Sequence, residues 1–264
     1  MAKKTQANQK ETVAARRDRL NAMRAEAERK AARFRNIMIS GAVALAVVIV
    51  AVFVVVAIQQ GQVNQLQSSV TPKDAAPDNT GLYVYKENAK SDAVKVAVYF
   101  DYQCSACQSF ETAVGGLLTD LAKSGDITLE YRMLYGTGGD TSRKANIMAS
   151  CIDNSAGSEA LVAFSQALFS NREDSTEALT DTDLTESVPA DAGIDATALA
   201  AATSCYSQKL TNGFVQAMYD GSIKANVTAT PTIVIGEKQY VVSDLTDMPT
   251  TDTAALLNWL KTKV

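Results

Sequence analysis

The longest apolar stretch of the chain runs from residue 37 to residue 58 and contains no charged side chain. A helix of that length is about 33 Å long, which matches the hydrocarbon core of a bilayer. A cleaved signal peptide would have a shorter apolar region and small residues at its cleavage site. The pattern therefore predicts a transmembrane helix over residues 37–58, with a cleaved signal peptide as the alternative.

Polar residues follow from residue 59 to about residue 80, with two of the five prolines and no apolar period. Such a composition is typical of a flexible linker. The rest of the chain, residues 81–264, is long enough for one domain with a buried core. We therefore predict a tail over residues 1–36, then the membrane anchor, the linker and one folded domain.

The first part of this domain shows strand patterns on both sides of a helix pattern. Residues 81–87 predict a short strand, and "AVKVAVYF" (93–100) predicts a strand at the centre of a sheet. Residues 126–134 predict the next strand. Between the last two strands, a helix ending at Gly125 is predicted by apolar residues at spacings of three and four. These residues are Cys107, Phe110, Val114, Leu117, Leu118 and Leu121.

A long helical segment separates these elements from the last strands. From about residue 141 to residue 227 the chain shows helical periods and no strand pattern. Strand character returns at residues 231–242, where "GEK" is the expected turn of a β-hairpin, and a helix carrying Trp259 closes the chain. The order strand, helix, strand, helical insertion and hairpin predicts an α/β fold.

The charges differ on the two sides of the apolar stretch. Residues 1–36 carry a large excess of Lys and Arg, and residues 59–264 an excess of Asp and Glu, so the formal net charge of −4 is a balance of two opposite parts. Positive residues beside a transmembrane helix stay in the cytoplasm, which predicts a cytoplasmic tail and an extracytoplasmic domain at the cell membrane. An acidic domain lacks the clustered cations that nucleic acid needs, which excludes nucleic acid as the expected partner.

Two of the four cysteines, Cys104 and Cys107, lie in "DYQCSACQSF", directly after the central strand. All four follow the apolar stretch, and the chain contains no histidine. Disulfides persist outside the cytoplasm. Cysteines at positions i and i+3 at the start of a helix lie on one face, where the N-terminal N–H groups favour a thiolate. This predicts that Cys104 attacks a partner sulfur and that Cys107 resolves the mixed disulfide.

Three other interpretations of this pair remain open. A structural disulfide between the two would close a minute loop and stabilise little. A four-cysteine zinc site would need a second close pair, whereas Cys151 and Cys205 are 54 residues apart. Two buried thiols without chemistry are the third possibility. The order strand, CxxC and helix favours the redox dithiol, and we expect no metal and no cofactor.

Three segments together carry a resemblance to a known family: "VAVYFDYQCSACQSF", the helical insertion and "ATPTIVI". They resemble the thioredoxin superfamily, and most closely the disulfide-bond protein A (DsbA) family in its membrane-anchored, Gram-positive form. The resemblance covers about residues 81–264 and implies a thioredoxin-like fold. It also implies a cis bond before Pro231, beside the active-site sulfurs, and a backbone at Thr230 that pairs with substrate. A trans proline that merely starts a strand is the alternative.

The same resemblance implies a function and two kinds of partner. The function is that of an extracytoplasmic thiol–disulfide oxidoreductase, forming disulfides in secreted or cell-envelope proteins. The partners are these cysteine-containing substrates and a quinone-linked membrane protein that reoxidises the dithiol. A thiol reductase or isomerase of the same fold is one alternative. A thioredoxin-fold binding module or chaperone without catalysis is another.

One departure from the family lies between the two cysteines. The best-studied members have Pro and His there, and the His helps to hold the nucleophile as a thiolate. This chain has Ser105 and Ala106 instead. Without the His, we expect a higher pKa for Cys104 and a lower reduction potential.

Four further residues are candidates for roles around the dithiol. Cys151 and Cys205 lie on predicted helices of the insertion. Some anchored family members are similar in having a second disulfide here, so we favour a structural bond over free buried thiols or a second redox pair. Asp101 and Glu130 are candidates to assist proton transfer to Cys107, although each is more simply explained as a surface acid.

Overall fold

The computed structural model describes residues 70–170 and 178–264, which belong to the compact unit Val63–Val264. The predicted cytoplasmic tail and transmembrane helix lie outside these residues. In the part of the chain that is described, no helix is long and apolar enough to cross a membrane. The anchor over residues 37–58 therefore stays a prediction from the sequence.

A five-stranded sheet forms the centre of the described residues. Its strands are β1 (Leu82–Val84), β2 (Val94–Asp101), β3 (Ile127–Leu134), β4 (Thr232–Ile235) and β5 (Lys238–Val241). They lie in the order β1-β3-β2-β4-β5, with β2 parallel to β3 and the other pairs antiparallel. β2 is therefore the central strand that its continuous apolar sequence predicted.

One helical run follows β2. It consists of α1 (Ser105–Phe110), a π-helical turn (Glu111–Gly115) and α2 (Gly116–Lys123). The chain leaves this run at Gly125, whose φ of 75° is favourable for glycine. The apolar face that predicted the helix packs into the core, where Val114, Leu118 and Leu121 are buried.

Between β3 and β4, the described residues form helices and no strand, as the sequence predicted. These helical segments are α3 (Asp140–Ala156), α4 (Ser158–Ser170), a π-helical turn (Asp183–Ser187), α5 (Val188–Asp191), α6 (Ala196–Ser207) and α7 (Asn212–Lys224). The last helix of the chain is α8 (Thr253–Lys263). The predicted α/β fold with a helical insertion is confirmed.

Two local boundaries differ from the prediction. β1 is shorter than residues 81–87 because Tyr85, with a φ of 51°, starts a 3-10 turn at Lys86–Asn88. The hairpin turn consists of Gly236, whose φ is 62°, and one more residue. Lys238, which the prediction included in the turn, is therefore the first residue of β5.

The end of the predicted linker packs on the domain. The N–H of Val70 donates to Leu210 O (2.7 Å), and the N–H of Asp74 donates to the Asp153 carboxylate (3.0 Å). Ala76 is buried. Composition predicted a free tether here, but the fold offers acceptors and apolar surface that composition does not reveal. The earlier part of the linker, residues 59–69, lies outside the described residues.

Aromatic side chains connect the central strand to the helical insertion. Phe100 makes edge-to-face contacts with Tyr102, Tyr131 and Phe169, with ring centroids 5.3, 5.3 and 5.8 Å apart. The Tyr102 hydroxyl also forms a 2.7 Å hydrogen bond with the Ser165 hydroxyl on α4. The segment that leads from β2 to the two cysteines is thereby fixed against the insertion.

Candidate active site

Cys104 and Cys107 lie at the junction between the central strand and the helix after it. β2 ends at Asp101, and Cys104 caps α1 while its N–H donates to Asp101 O (3.0 Å). Both cysteines are free, with 9% of Cys104 and 1% of Cys107 exposed. Cys104 is therefore the more accessible sulfur of the pair, and Cys107 lies deeper.

Hydrogen bonds lower the pKa of Cys104 to about 6. The largest cause is the bond from the Cys107 side chain, and the Thr230 side chain and the backbone N–H groups of Cys107 and Ala106 contribute further. Burial acts in the opposite direction but is outweighed. Most Cys104 side chains are thus thiolates at pH 7. A neighbouring thiol and the helix backbone stabilise this thiolate in a chain that has no histidine.

Cys107 is shifted in the opposite direction. Its hydrogen bond to Cys104, its burial and the charge of Cys104 all raise its pKa. Cys107 therefore keeps its proton at neutral pH and can attack only after that proton has been removed. The pair combines one ionised and one protonated sulfur.

β4 brings Thr230 and Pro231 to the two sulfurs. It runs antiparallel to β2 with Thr232 opposite Tyr99, so the residues just before β4 lie beside the end of β2. The Cys104 Sγ is 3.5 Å from Thr230 O, and the Thr230–Pro231 peptide bond is cis. The alternative of a trans proline is therefore wrong.

Ser105 and Ala106, the two residues between the cysteines, are both exposed in the first turn of α1. The Ala106 backbone N–H is the group that reaches the Cys104 sulfur. The contribution of Ala106 to the thiolate is thus made by its backbone and does not need a polar side chain.

Asp101 is a buried anchor, and its interpretation as a surface acid is wrong. Its Oδ1 accepts from the Gln103 N–H (2.8 Å) and from the Ser142 hydroxyl. Its Oδ2 accepts from the Thr137 N–H (2.8 Å) and the Gly138 N–H (3.3 Å). These four bonds tie the loop after β3 to the start of the CxxC segment.

Glu130 is also buried, so the surface interpretation is wrong here as well. Its carboxylate accepts from Arg132 Nε (2.9 Å) and Nη2 (2.7 Å), and the Thr80 hydroxyl donates to the same group (2.7 Å). Arg132 in turn donates to the Tyr99 hydroxyl (2.7 Å). Glu130 therefore balances the charge of Arg132, a partly buried arginine on the same strand, β3.

A third carboxyl group, Glu111, was missed in the sequence. It lines a cavity together with Cys107 and Tyr131, among apolar side chains of the sheet, the helical run and α4. Burial raises the pKa of Glu111 to about 7, and a hydrogen bond from Gln166 lowers it only in part. The available signal was its position four residues after Cys107, because an acid there falls on the apolar face of the predicted helix.

Cys151 and Cys205 form a disulfide that joins α3 to α6, with Cα atoms 5.8 Å apart. Both residues are buried. A bond between these two cysteines is therefore present, and the alternative of free thiols is wrong. The bond joins two helices of the insertion, whereas the Cys104–Cys107 dithiol lies where β2 meets α1. The structural role of the bond stays a prediction.

We expect the alkylation of Cys104 in the reduced full-length chain to have its pH midpoint near 6, because hydrogen bonds lower its pKa. Iodoacetamide labelling followed by mass spectrometry, from about pH 4 to about pH 9, measures this midpoint. In the Cys107→Ala variant the midpoint should rise, since the Cys107 hydrogen bond is the largest cause of the shift. A midpoint in the ordinary range of a free cysteine, about 8.5, would contradict this assignment.

The comparisons with known proteins agree with this geometry. A family model described as thioredoxin matches residues 80–253. Comparison with curated protein sequences finds no match. Among solved structures, the chain is similar to MdbA, a thiol-disulfide oxidoreductase from Actinomyces oris, with a TM-score of 0.60 and 16% identity over 73% of this chain and 92% of that chain.

Two further structures show the same likeness. MdbA from Corynebacterium diphtheriae, also a thiol-disulfide oxidoreductase, gives a TM-score of 0.55 and 20% identity over 74% of this chain and 95% of that chain. Oxidised BdbD from Bacillus subtilis gives a TM-score of 0.54 and 18% identity over 74% of this chain and 98% of that chain. At these identities the likeness is one of fold. The expected resemblance is confirmed: the chain belongs to the thioredoxin family, and its structural neighbours are of the DsbA type.

Proposed function

We propose that the chain is an extracytoplasmic thiol–disulfide oxidoreductase that forms disulfides in secreted or cell-envelope proteins. The observation that carries this proposal is the opposite titration of the two sulfurs, with the pKa of Cys104 lowered to about 6 and the pKa of Cys107 raised. An accessible thiolate beside a protonated, deeper thiol is the arrangement that thiol–disulfide exchange requires.

The exchange proceeds in two steps from the oxidised protein. A substrate thiolate attacks Cys104 Sγ, which forms the mixed disulfide, breaks the Cys104–Cys107 bond and leaves Cys107 as a thiolate that takes up a proton. A second substrate thiolate then attacks the substrate sulfur, and Cys104 leaves as a thiolate. The substrate has lost two electrons to the protein, which ends as the reduced dithiol.

The position of the Cys104 pKa favours oxidation of substrates over their reduction. Because the pKa of Cys104 lies below the ordinary value of 9.0, its thiolate stabilises the folded, reduced protein. This stabilisation is complete above pH 9 and is lost as the pH falls through 6. Part of this stabilisation remains at pH 7. A dithiol whose reduced form is stabilised is a stronger oxidant, because it gains more when it accepts electrons.

Two observations support an extracytoplasmic location. The Cys151–Cys205 disulfide is of a kind that persists in oxidising compartments. The apolar stretch at residues 37–58 follows a basic segment, and this order supports a basic segment inside the cell and a domain outside it. A disulfide-forming protein is left reduced after each cycle and needs an electron acceptor. For this role we propose a quinone-linked membrane partner.

Oxidation of a reduced, unfolded protein with two cysteines tests the proposal. We expect the oxidised full-length chain to remove two hydrogen atoms from each substrate molecule, as seen by mass spectrometry, while its own dithiol becomes reduced. The Cys104→Ala variant should show only the background rate, because the exchanging sulfur is absent. A wild-type chain that leaves the substrate reduced would contradict the proposal and favour a binding module.

Titration of the dithiol against glutathione separates oxidation from reduction. We expect a reduction potential above about −200 mV, closer to the strong oxidant DsbA at about −120 mV than to thioredoxin at about −270 mV. A value near thioredoxin's would instead favour the reductase alternative.

A further inference from the structure

Cys107 has to gain and lose a proton in every catalytic cycle. It leaves the internal disulfide as a thiolate, and its raised pKa means that the thiol is the stable form. When the dithiol is reoxidised, the thiol must lose its proton again before it can attack. Only 1% of Cys107 is exposed, so bulk water does not reach the sulfur directly and a nearby group has to carry the proton.

The two acids predicted for this role are engaged elsewhere. The Asp101 carboxylate accepts four hydrogen bonds from the residues around the CxxC segment. The Glu130 carboxylate is paired with Arg132 through two hydrogen bonds. The proton therefore needs another acceptor.

Glu111 lies on the helical run that carries Cys107, four residues further along, where the π-helical turn begins. π-helical turns are frequent at functional sites. Gly115 leaves room for the Glu111 carboxyl group: a Cβ at Gly115 would lie 2.2 Å from Glu111 Cδ and 2.3 Å from both carboxyl oxygens. The Glu111 carboxyl group thus occupies space that a side chain at Gly115 would fill.

Cys107, Glu111 and Tyr131 line one cavity, and Glu111 Oε1 is a buried oxygen atom without a hydrogen-bond partner in the structure. Unpartnered buried polar atoms are costly and call for a functional explanation. The space open to the centre of a water molecule is about 10 Å³, which is enough for about one water. One water there can connect the carboxyl group to the Cys107 sulfur.

We propose that Glu111 carries the proton that Cys107 gains and loses, across the cavity that the two side chains share. When a substrate thiolate opens the internal disulfide, the Glu111 carboxylic acid gives its proton to the Cys107 thiolate. During reoxidation, the Cys104 thiolate attacks a disulfide of the oxidising partner, which forms a mixed disulfide with one partner sulfur and releases the other as a thiolate. The Glu111 carboxylate then takes the proton back from Cys107, the Cys107 thiolate attacks Cys104 Sγ, and the bonded partner sulfur leaves with the electron pair. This inference rests on the proposed thiol–disulfide exchange and assigns its proton carrier.

The surroundings of Glu111 suit a group that both gives a proton to Cys107 and takes it back. Among the described residues, the titratable groups around it are Cys107 on its own helical run, Tyr131 on β3 and Tyr102 just after β2. Burial raises the pKa of both tyrosines, so they stay neutral. Since burial also raises the pKa of Glu111 to about 7, its acid and carboxylate forms are both populated near neutral pH.

A two-phase reaction with 5,5′-dithiobis(2-nitrobenzoic acid) tests this inference. One equivalent reacts with the reduced full-length chain: Cys104 releases the first nitrothiolate, and Cys107 releases the second as it resolves the mixed disulfide. We expect Glu111→Gln to leave the first phase unchanged and to slow the second about 100-fold or more at pH 7. In the wild type the second phase should slow as the pH falls through about 7, where the Glu111 carboxylate becomes protonated, and Glu111→Gln should lack this pH dependence.

Two glycine variants provide a matched control that leaves Glu111 in place. In Gly115→Ala the new Cβ forces the carboxyl group to move, so we expect the second phase to slow while the first is kept. In Gly116→Ala the new Cβ meets nothing within 4 Å, so both phases should match the wild type. Alanine has a higher helix propensity than glycine, and this effect is the same at both sites. A difference between the two variants therefore does not come from helix propensity.

The outcomes separate this inference from the proposed function. If the wild type shows both phases and Glu111→Gln shows the same second-phase rate and pH profile, the inference fails and the exchange function stands. If the wild type releases no nitrothiolate, both fail. A direct measurement on the wild type does not depend on the folding of any variant. In ¹³C NMR, the chemical shift of the Glu111 carboxyl carbon should titrate near pH 7. Titration near pH 4.5 would overturn the inference.

Discussion

The Cys107→Ala variant is expected to accumulate as covalent mixed disulfides, held through Cys104, when it is produced in cells. Without Cys107, no sulfur of the protein itself can attack the mixed disulfide. The mixed disulfide therefore persists until a second substrate thiol attacks it. Cys104 is the more accessible sulfur, and hydrogen bonds from Thr230 and the backbone N–H of Ala106 still favour its thiolate in this variant. Non-reducing gel electrophoresis and mass spectrometry of the captured proteins measure the effect.

The Cys104→Ala variant is the matched control. It keeps Cys107, but that sulfur is almost fully buried and its pKa is raised, so we expect no captured protein. The identity of the captured proteins also tests location, since an extracytoplasmic enzyme should capture secreted and envelope proteins. Equal capture by both variants, or capture of cytoplasmic proteins alone, would argue against the proposed function.

Loss of the Cys151–Cys205 bond is expected to lower the free energy of unfolding by about 4 kcal/mol, because the sequence separation of 54 closes a long loop in the unfolded chain. The double variant Cys151→Ala, Cys205→Ala removes the bond without leaving an unpaired thiol. Urea unfolding of the wild type and of the double variant gives the difference.

The second double variant, Cys104→Ala with Cys107→Ala, controls for the loss of two sulfurs. Its cysteines are not bonded in this structure, so we expect a much smaller change in stability. A loss below about 1 kcal/mol for the Cys151 and Cys205 pair would show that the α3–α6 packing holds the helices without the bond. In either case the exchange activity should survive in protein that remains folded, since this bond lies apart from the dithiol.

Thiolate stabilisation in this chain does not depend on an imidazole. The sequence predicted that Ser105 and Ala106, in place of a Pro-His dipeptide, would raise the pKa of Cys104. The structure shows that the Cys107 thiol, Thr230 and backbone N–H groups still lower that pKa to about 6. Backbone donors are supplied by any sequence that starts a helix at this point, which is why the dipeptide alone is a poor guide.

Local patterns along the chain were sufficient to predict the helices and strands of the domain. The predicted strand at residues 93–100 agrees within one residue with β2 (Val94–Asp101), because its side chains are apolar at nearly every position. The spacing of three and four after Cys107 likewise predicts the helical run. The strand-free insertion and the final hairpin follow from the same local patterns. The CxxC pair was also found this way, because both cysteines and their helix are neighbours along the chain.

Contacts between segments that are distant along the chain became visible in the folded domain and not before. Thr230 reaches Cys104 because β4 pairs with β2, and Cys151 meets Cys205 because α3 packs on α6. The roles of the acids depended on such contacts too: Asp101 and Glu130 have partners far along the chain, whereas Glu111 lies with Cys107 and Tyr131 at a shared cavity. The spacing of apolar residues shows which face of a helix or strand is buried. The charge state and the hydrogen-bond partners of a buried side chain depend on the other segments that pack against it.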